Sequence, residues 1–125
     1  MIIAVSVDSD NIDGKVSQVF GRCAGFILLE LDSEKIASSR FIENPALNMQ
    51  GGAGVAAAQV VAKEKPDAAI SGNFGPNSLA ILQQAGIKTY LAKDATVKQA
   101  VELLQDKALE ETGTASVKQD FGKGA

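Results

Sequence analysis

The apolar residues change rhythm near Val55, and that change confines the chain to a mixed α/β fold. Before it lie three short apolar runs. Ile2 to Val7 is β-branched and suits a buried strand, Phe26 to Leu31 makes a second strand, and Ile36 to Ile42 a third. The link Asp32-Ser33-Glu34-Lys35 is short and polar, so the second and third strands are expected to form an antiparallel hairpin. After the change, Val55, Ala58 and Val61-Ala62 recur at helical spacing, and Lys63 to Pro66 closes that helix. Ala68 to Ser71 reads as a strand. Gly75-Pro76 opens a second helix that Gly86 stops, and Lys88 to Leu91 reads as the last strand. Thr96-Val97-Lys98-Gln99 has the form of a capping box, and Val97, Ala100, Val101 and Leu104 give the third helix one apolar face. The order β-β-β-α-β-α-β-α calls for a mixed sheet with helices packed on it.

A chain of 125 residues, 46% hydrophobic and 22% charged, is long enough for one core and one domain. We expect that domain over residues 1–109. Residues 110–125 lose periodicity and are expected to form a flexible C-terminal tail. A net charge of −3 argues against a nucleic-acid partner, whose phosphates need clustered Lys and Arg. No apolar run is long enough to span a bilayer, so no membrane partner is expected. A single cysteine cannot form an internal disulfide, which points to a reducing cytoplasm.

The chain has no histidine, which removes a Ser-His-Asp triad, a Cys-His dyad and any closed Cys/His zinc site. The remaining chemistry gathers in three loops. Phe20-Gly21-Arg22-Cys23 sets the one thiol beside a guanidinium. A thiolate is the soft ligand that copper(I) and iron-sulfur species prefer, and Arg22 would lower the thiol pKa; a lone cysteine is also a common small core residue. Gly51-Gly52-Ala53-Gly54 opens a helix, where backbone N–H groups attract an anion. It has neither the dinucleotide spacing nor the Lys-Ser/Thr of a P-loop, and it also reads as a plain sheet-to-helix connection. Gly72-Asn73-Phe74-Gly75-Pro76-Asn77 follows a strand, the usual place for ligands in open α/β sheets. Asn73 and Asn77 offer amide donors there, and Phe74 offers an apolar surface; turn chemistry alone accounts for the same residues. Asp8, Asp10 and Asp13 miss the EF-hand pattern and read as a solvated turn.

In order along the chain, Val16-Ser17, Phe20-Gly21-Arg22, Glu43-Asn44-Pro45, Gly51 to Gly54, Gly72 to Asn77 and Gly86 to Tyr90 resemble the dinitrogenase iron-molybdenum cofactor biosynthesis family, related to NifX and the NifB C-terminal domain. The resemblance spans roughly Ile2 to Leu104. It implies a ribonuclease-H-like three-layer α/β/α domain with a mixed five-stranded sheet and helices on both faces. It also implies a non-enzymatic protein that binds, carries or helps assemble a metal-sulfur cluster, together with cluster donor or acceptor proteins. Many members carry a histidine just before Phe-Gly-Arg; here Val19 stands there. Cys23 is similar to the orange-protein-like sub-group, which implies either an iron-molybdenum or a molybdenum-copper sulfide cluster. The cofactor-binding residues expected on this basis are Phe20, Gly21, Arg22, Cys23, Asn44, Gly51, Gly52, Gly54, Gly72, Asn73, Gly75 and Asn77, with Cys23 as metal ligand. The other arrangement is a preassembled sulfide-capped anion held only by Arg22, backbone amides and asparagine side chains. Two further readings stand beside the carrier. One is a ligand-free regulatory or scaffold protein of redox metabolism. The other is a phosphoryl-transfer or nuclease enzyme using Asp8 and Glu30.

Overall fold

The computed structural model describes residues 1–112. One six-stranded sheet has the order β3-β2-β1-β4-β5-β6. Strands β1 (Ile2–Val7), β2 (Gly25–Asp32) and β3 (Lys35–Glu43) form an antiparallel meander. Strands β4 (Ala68–Ser71) and β5 (Lys88–Leu91) then run parallel to β1 on its other side. Helix α1 (Ala53–Lys63) joins β3 to β4, α2 (Pro76–Gln84) joins β4 to β5, and α3 (Val97–Gln105) follows β5.

The sheet has six strands rather than the five expected. Glu110–Glu111 forms a short β6, antiparallel to β5, with Tyr90 opposite Glu111. Two exposed glutamates carry no strand signal, and their pairing is made by backbone groups; the Thr112 N–H adds a bond to the Thr89 carbonyl at 2.9 Å. The expected tail therefore begins as part of the sheet, and its remainder, residues 113–125, lies outside the described residues.

Period-two alternation along the central strands makes two cores. Ile3, Val5, Val7, Ile27, Leu29 and Ile70 face α3 through Val97, Val101 and Leu104. Ala4, Phe26, Leu28 and Ala69 face α1 and α2 through Ala57, Ala58, Val61, Leu79 and Leu82. Helices thus cover both faces. Small residues in the middle of the second face let α1 approach the sheet, and Phe20, Phe26 and Phe74 fill the space at one end of it. The ring centroid of Phe20 lies 4.9 Å from Phe26 and 5.3 Å from Phe74. No described helix is long and apolar enough to cross a membrane.

Candidate functional site

Because β2 runs against its neighbours, the carboxyl ends of β1, β3, β4 and β5 share one sheet edge with the start of β2. All three expected loops emerge there, where open α/β sheets take ligands. The first and third are tied to each other by short bonds. The Ser17 N–H donates to the Ser6 carbonyl at 2.8 Å, the Gly72 N–H to the Ser17 carbonyl at 2.8 Å, and the Phe20 N–H to the Asn73 carbonyl at 3.1 Å. Beneath them the buried Ser6 and Ser71 hydroxyls meet at 2.8 Å. A side chain at position 72 would put its Cβ 2.8 Å from Gln18 Cα, so this contact requires glycine.

A hollow of about 240 Å³ opens at this edge. The 3-10 turn Phe20–Arg22 and the residue before it supply Val19, Gly21 and Arg22; the start of α1 supplies Gly52 to Gly54; the start of α2 supplies Gly75 to Ser78. Gly21 and Gly54 bring the turn and α1 together, since a Cβ on Gly21 would lie 3.2 Å from Gly54 Cα. No side chain caps the amino terminus of α1 or of α2. By contrast α3, away from the hollow, carries a complete capping box, with the Gln99 N–H donating to Thr96 Oγ1 at 3.1 Å. The first turns of α1 and α2, with the positive ends of their dipoles, line the hollow, and no side-chain cap competes for their N–H groups. Arg22 adds a full charge, its Nη1 donating to the Met49 carbonyl at 3.1 Å. Among the described residues, none that lines the hollow is acidic, although the chain has 15 Asp and Glu. The arrangement suits a compact anion approached by N–H donors.

Half of the expected site residues line this hollow: Gly21, Arg22, Gly52, Gly54, Gly75 and Asn77. Gly72 and Asn73 border a separate hollow of about 240 Å³ with Gln18 and Lys93, and the Asn73 amide is held by the Gln18 carbonyl at 3.0 Å. Gly51 is exposed and does not line the hollow. Phe20 is fully buried core, as is Phe74, and neither ring lines the hollow. Asn44 is buried and bonded to backbone on three sides. Val19, Ala53, Pro76 and Ser78 line the hollow without having been expected to. Val19, the position of the family's frequent histidine, was the one with a signal, and it is exposed at the rim.

Cys23, expected as a metal ligand, is placed in the core. Its side chain is 0% exposed, packs with the phenylalanines and donates its S–H to the Phe20 carbonyl at 3.2 Å. Burial pushes the thiol pKa from 9.0 up to about 12, with the charge of Asp8 adding to the rise and backbone hydrogen bonds opposing it. Arg22 does not lower it, because its guanidinium turns outward to the Met49 carbonyl. A neutral buried thiol is a poor nucleophile and a poor soft ligand. The unfolded thiol ionises first, so the stability carried by the buried neutral form is complete below pH 9 and lost as pH rises towards about 12. The denaturation midpoint should therefore fall more steeply with pH above 9 in the wild type than in Cys23→Ala. Parallel profiles would refute this environment.

The described acidic residues do not assemble a metal site. Among the described residues no group of three or more Cys, Asp or Glu is placed to hold a metal ion. Asp13 pairs with Lys98 at 3.0 Å, and the Asp13 N–H closes a turn on Asn11 Oδ1 at 2.9 Å. Asp8 follows the end of β1 that pairs with Gly25, whereas Glu30 sits opposite Ile2 at the other end. At ~3.4 Å per residue the length of β1, roughly 20 Å, separates them. They cannot share a metal.

Fold and hollow together define a small mixed α/β domain with an acid-free, glycine-walled hollow at the carboxyl ends of its parallel strands. The model of the dinitrogenase iron-molybdenum cofactor family matches residues 1–107. The chain belongs to that family. It is 31% identical over 110 residues to the uncharacterized protein MJ0580 of Methanocaldococcus jannaschii, covering 88% of this chain and 90% of the relative. The apo form of the orange protein from Desulfovibrio gigas is 32% identical, with a TM-score of 0.85 over 93% of this chain and 96% of that one. The Thermotoga protein TM1290 shares the fold at 24% identity, with a TM-score of 0.78 over 94% and 97%.

Proposed function

We propose that the domain is a cytoplasmic, non-enzymatic carrier that receives a preassembled metal-sulfur anion in the hollow and passes it between donor and acceptor proteins. The observation that carries this reading is the convergence of Arg22 with two uncapped helix amino termini in a hollow free of acid. Membership of the iron-molybdenum cofactor family supports a metal-sulfur cluster as the cargo class, which we take as an iron-molybdenum or molybdenum-copper sulfide cluster. The sheet order β3-β2-β1-β4-β5, with β2 alone reversed among those five, supports reading the domain as ribonuclease-H-like with one strand added.

The lining residues fit such a cargo in a particular way. The hollow presents N–H donors and one guanidinium, and among the described residues no thiol, imidazole or carboxylate lines it. The sulfide caps would accept N–H···S bonds while the metals keep their own sulfide ligands, so loading needs no protein–metal bond. The glycines let the cargo approach the backbone, and Arg22 offsets its charge. Binding held in this way is reversible, as a carrier requires.

The test is anaerobic reconstitution with tetrathiomolybdate, alone and with copper or iron, followed by desalting, visible absorbance and metal analysis. Wild type should retain a chromophore at fixed stoichiometry. Arg22→Ala should weaken retention roughly ten- to a hundredfold, from the ~1.5–3 kcal/mol of a charged hydrogen bond. Cys23→Ser should retain it. Absence of retained metal in every combination would overturn the carrier reading in favour of a ligand-free regulatory protein.

A further inference from the structure

Asn44, expected above to touch cargo, sits away from the hollow and instead closes a ring of hydrogen bonds around Arg22. Its Nδ2 donates to the Cys23 carbonyl at 2.9 Å and reaches the Gly21 carbonyl at 3.4 Å, the two residues that flank Arg22. Its Oδ1 accepts the Ala46 N–H at 3.0 Å. The Ala46 carbonyl accepts the Met49 N–H at 3.0 Å. The Met49 carbonyl then accepts Nη1 of Arg22 at 3.1 Å. The ring starts at the Arg22 backbone and returns at the Arg22 side-chain tip. Asn44 is 5% exposed, and its backbone N–H is also anchored, to the Ala24 carbonyl at 3.0 Å.

We infer that Asn44 is the positioning residue of the hollow, holding Arg22 at both its root and its tip. Arginine has many rotamers, and a guanidinium free to wander over an exposed rim loses entropy on engaging cargo. Fixing its root through the flanking carbonyls, and its tip through the 44–49 turn, prepays that ordering. The amide is suited to the task, since it donates to two carbonyls while accepting one N–H. A carboxylate has the same shape and keeps the acceptor, but when ionised it has no hydrogen to donate.

This inference rests on the carrier reading for its functional consequence and stands on Arg22 itself for its geometry, so the experiment has two arms. In the first, without cargo, side-chain ¹⁵N relaxation compares the two arginines of the chain, Arg40 serving as control through its pairing with Glu64. Arg22 Nε–H should be ordered in wild type and mobile in Asn44→Asp and Asn44→Ala, with Arg40 unchanged. In the second, tetrathiomolybdate retention is compared in Asn44→Asp, Arg22→Ala and the double variant. Asn44→Asp should lose about tenfold in the wild-type background and nothing further when Arg22 is absent. Unchanged Arg22 relaxation, or additive losses in the double variant, would overturn the assignment. Should wild type retain no tetrathiomolybdate, the carrier reading fails and the relaxation arm alone decides the role of Asn44. Asn44→Asp serves where Asn44→Ala does not fold.

Discussion

Phe20→Ala should lower the unfolding free energy by about 3–5 kcal/mol, the cost of removing a large buried ring and leaving a cavity. Phe20 is 0% exposed and lies between Phe26 and Phe74 at the end of the α1/α2 core. Its ring is the apolar footing of the turn that carries Gly21 and Arg22, and its N–H ties that turn to Asn73. A domain of this size has only about 5–15 kcal/mol in total, so the variant should melt roughly 10–20 °C lower and lose cargo as a consequence. Phe20→Leu separates the two effects. Leucine keeps most of the apolar volume, so stability should recover largely and cargo retention fully. If Phe20→Leu is as stable as wild type yet loses cargo, the ring contacts the ligand and its assignment to the core is wrong.

Gly54→Leu should abolish cargo retention, by on the order of a hundredfold, while leaving the protein as stable as wild type or slightly more so. A Cβ at position 54 would have ordinary contacts, 3.6 Å to Ser78 N and 3.7 Å to Asn77 Cβ, so the first atom of a side chain fits with the backbone in place. Replacing a helix glycine by a better helix former contributes about 0.5–1 kcal/mol. The added side chain, however, starts between the amino termini of α1 and α2. It would screen the N–H groups of both, and losing two hydrogen bonds to a charged group at about 1.5 kcal/mol each, the low end of their range, accounts for the size of the effect. Gly54→Ala, with one methyl, should fall between. Thermal melts and tetrathiomolybdate retention measured together decide the matter. A Gly54→Leu protein that melts normally and retains cargo normally places the ligand elsewhere on the molecule, the hollow beside Lys93 being the next to examine.

The two predictions mark different depths of legibility in the chain. The elements were readable because their signals are local. The β-branched run Ile2 to Val7, the proline opening α2 and the Thr96/Gln99 capping box became strand, helix start and cap as read. Strand β6 was not readable, since Glu110 and Glu111 pair through backbone groups that every residue possesses. The site divided along the same line. Arg22 and glycines 21, 52, 54 and 75 reach the hollow because loops at the carboxyl ends of strands must converge there. Phe20, Cys23 and Asn44 belong to the same motifs and face inward.

By itself, then, the sequence determined the order and type of the main elements, the edge of the sheet where its loops gather, and the family. These follow from hydrophobic period, turn chemistry and ordered motifs, all of which act between near neighbours or survive as pattern. Only the tertiary structure decided which side of each loop meets solvent. That choice depends on contacts between residues far apart in the chain, such as Asn44 with the Cys23 carbonyl and Phe20 with Phe74. It set the one cysteine in the core as a buried neutral thiol, and it left the arginine beside it at the mouth of the hollow.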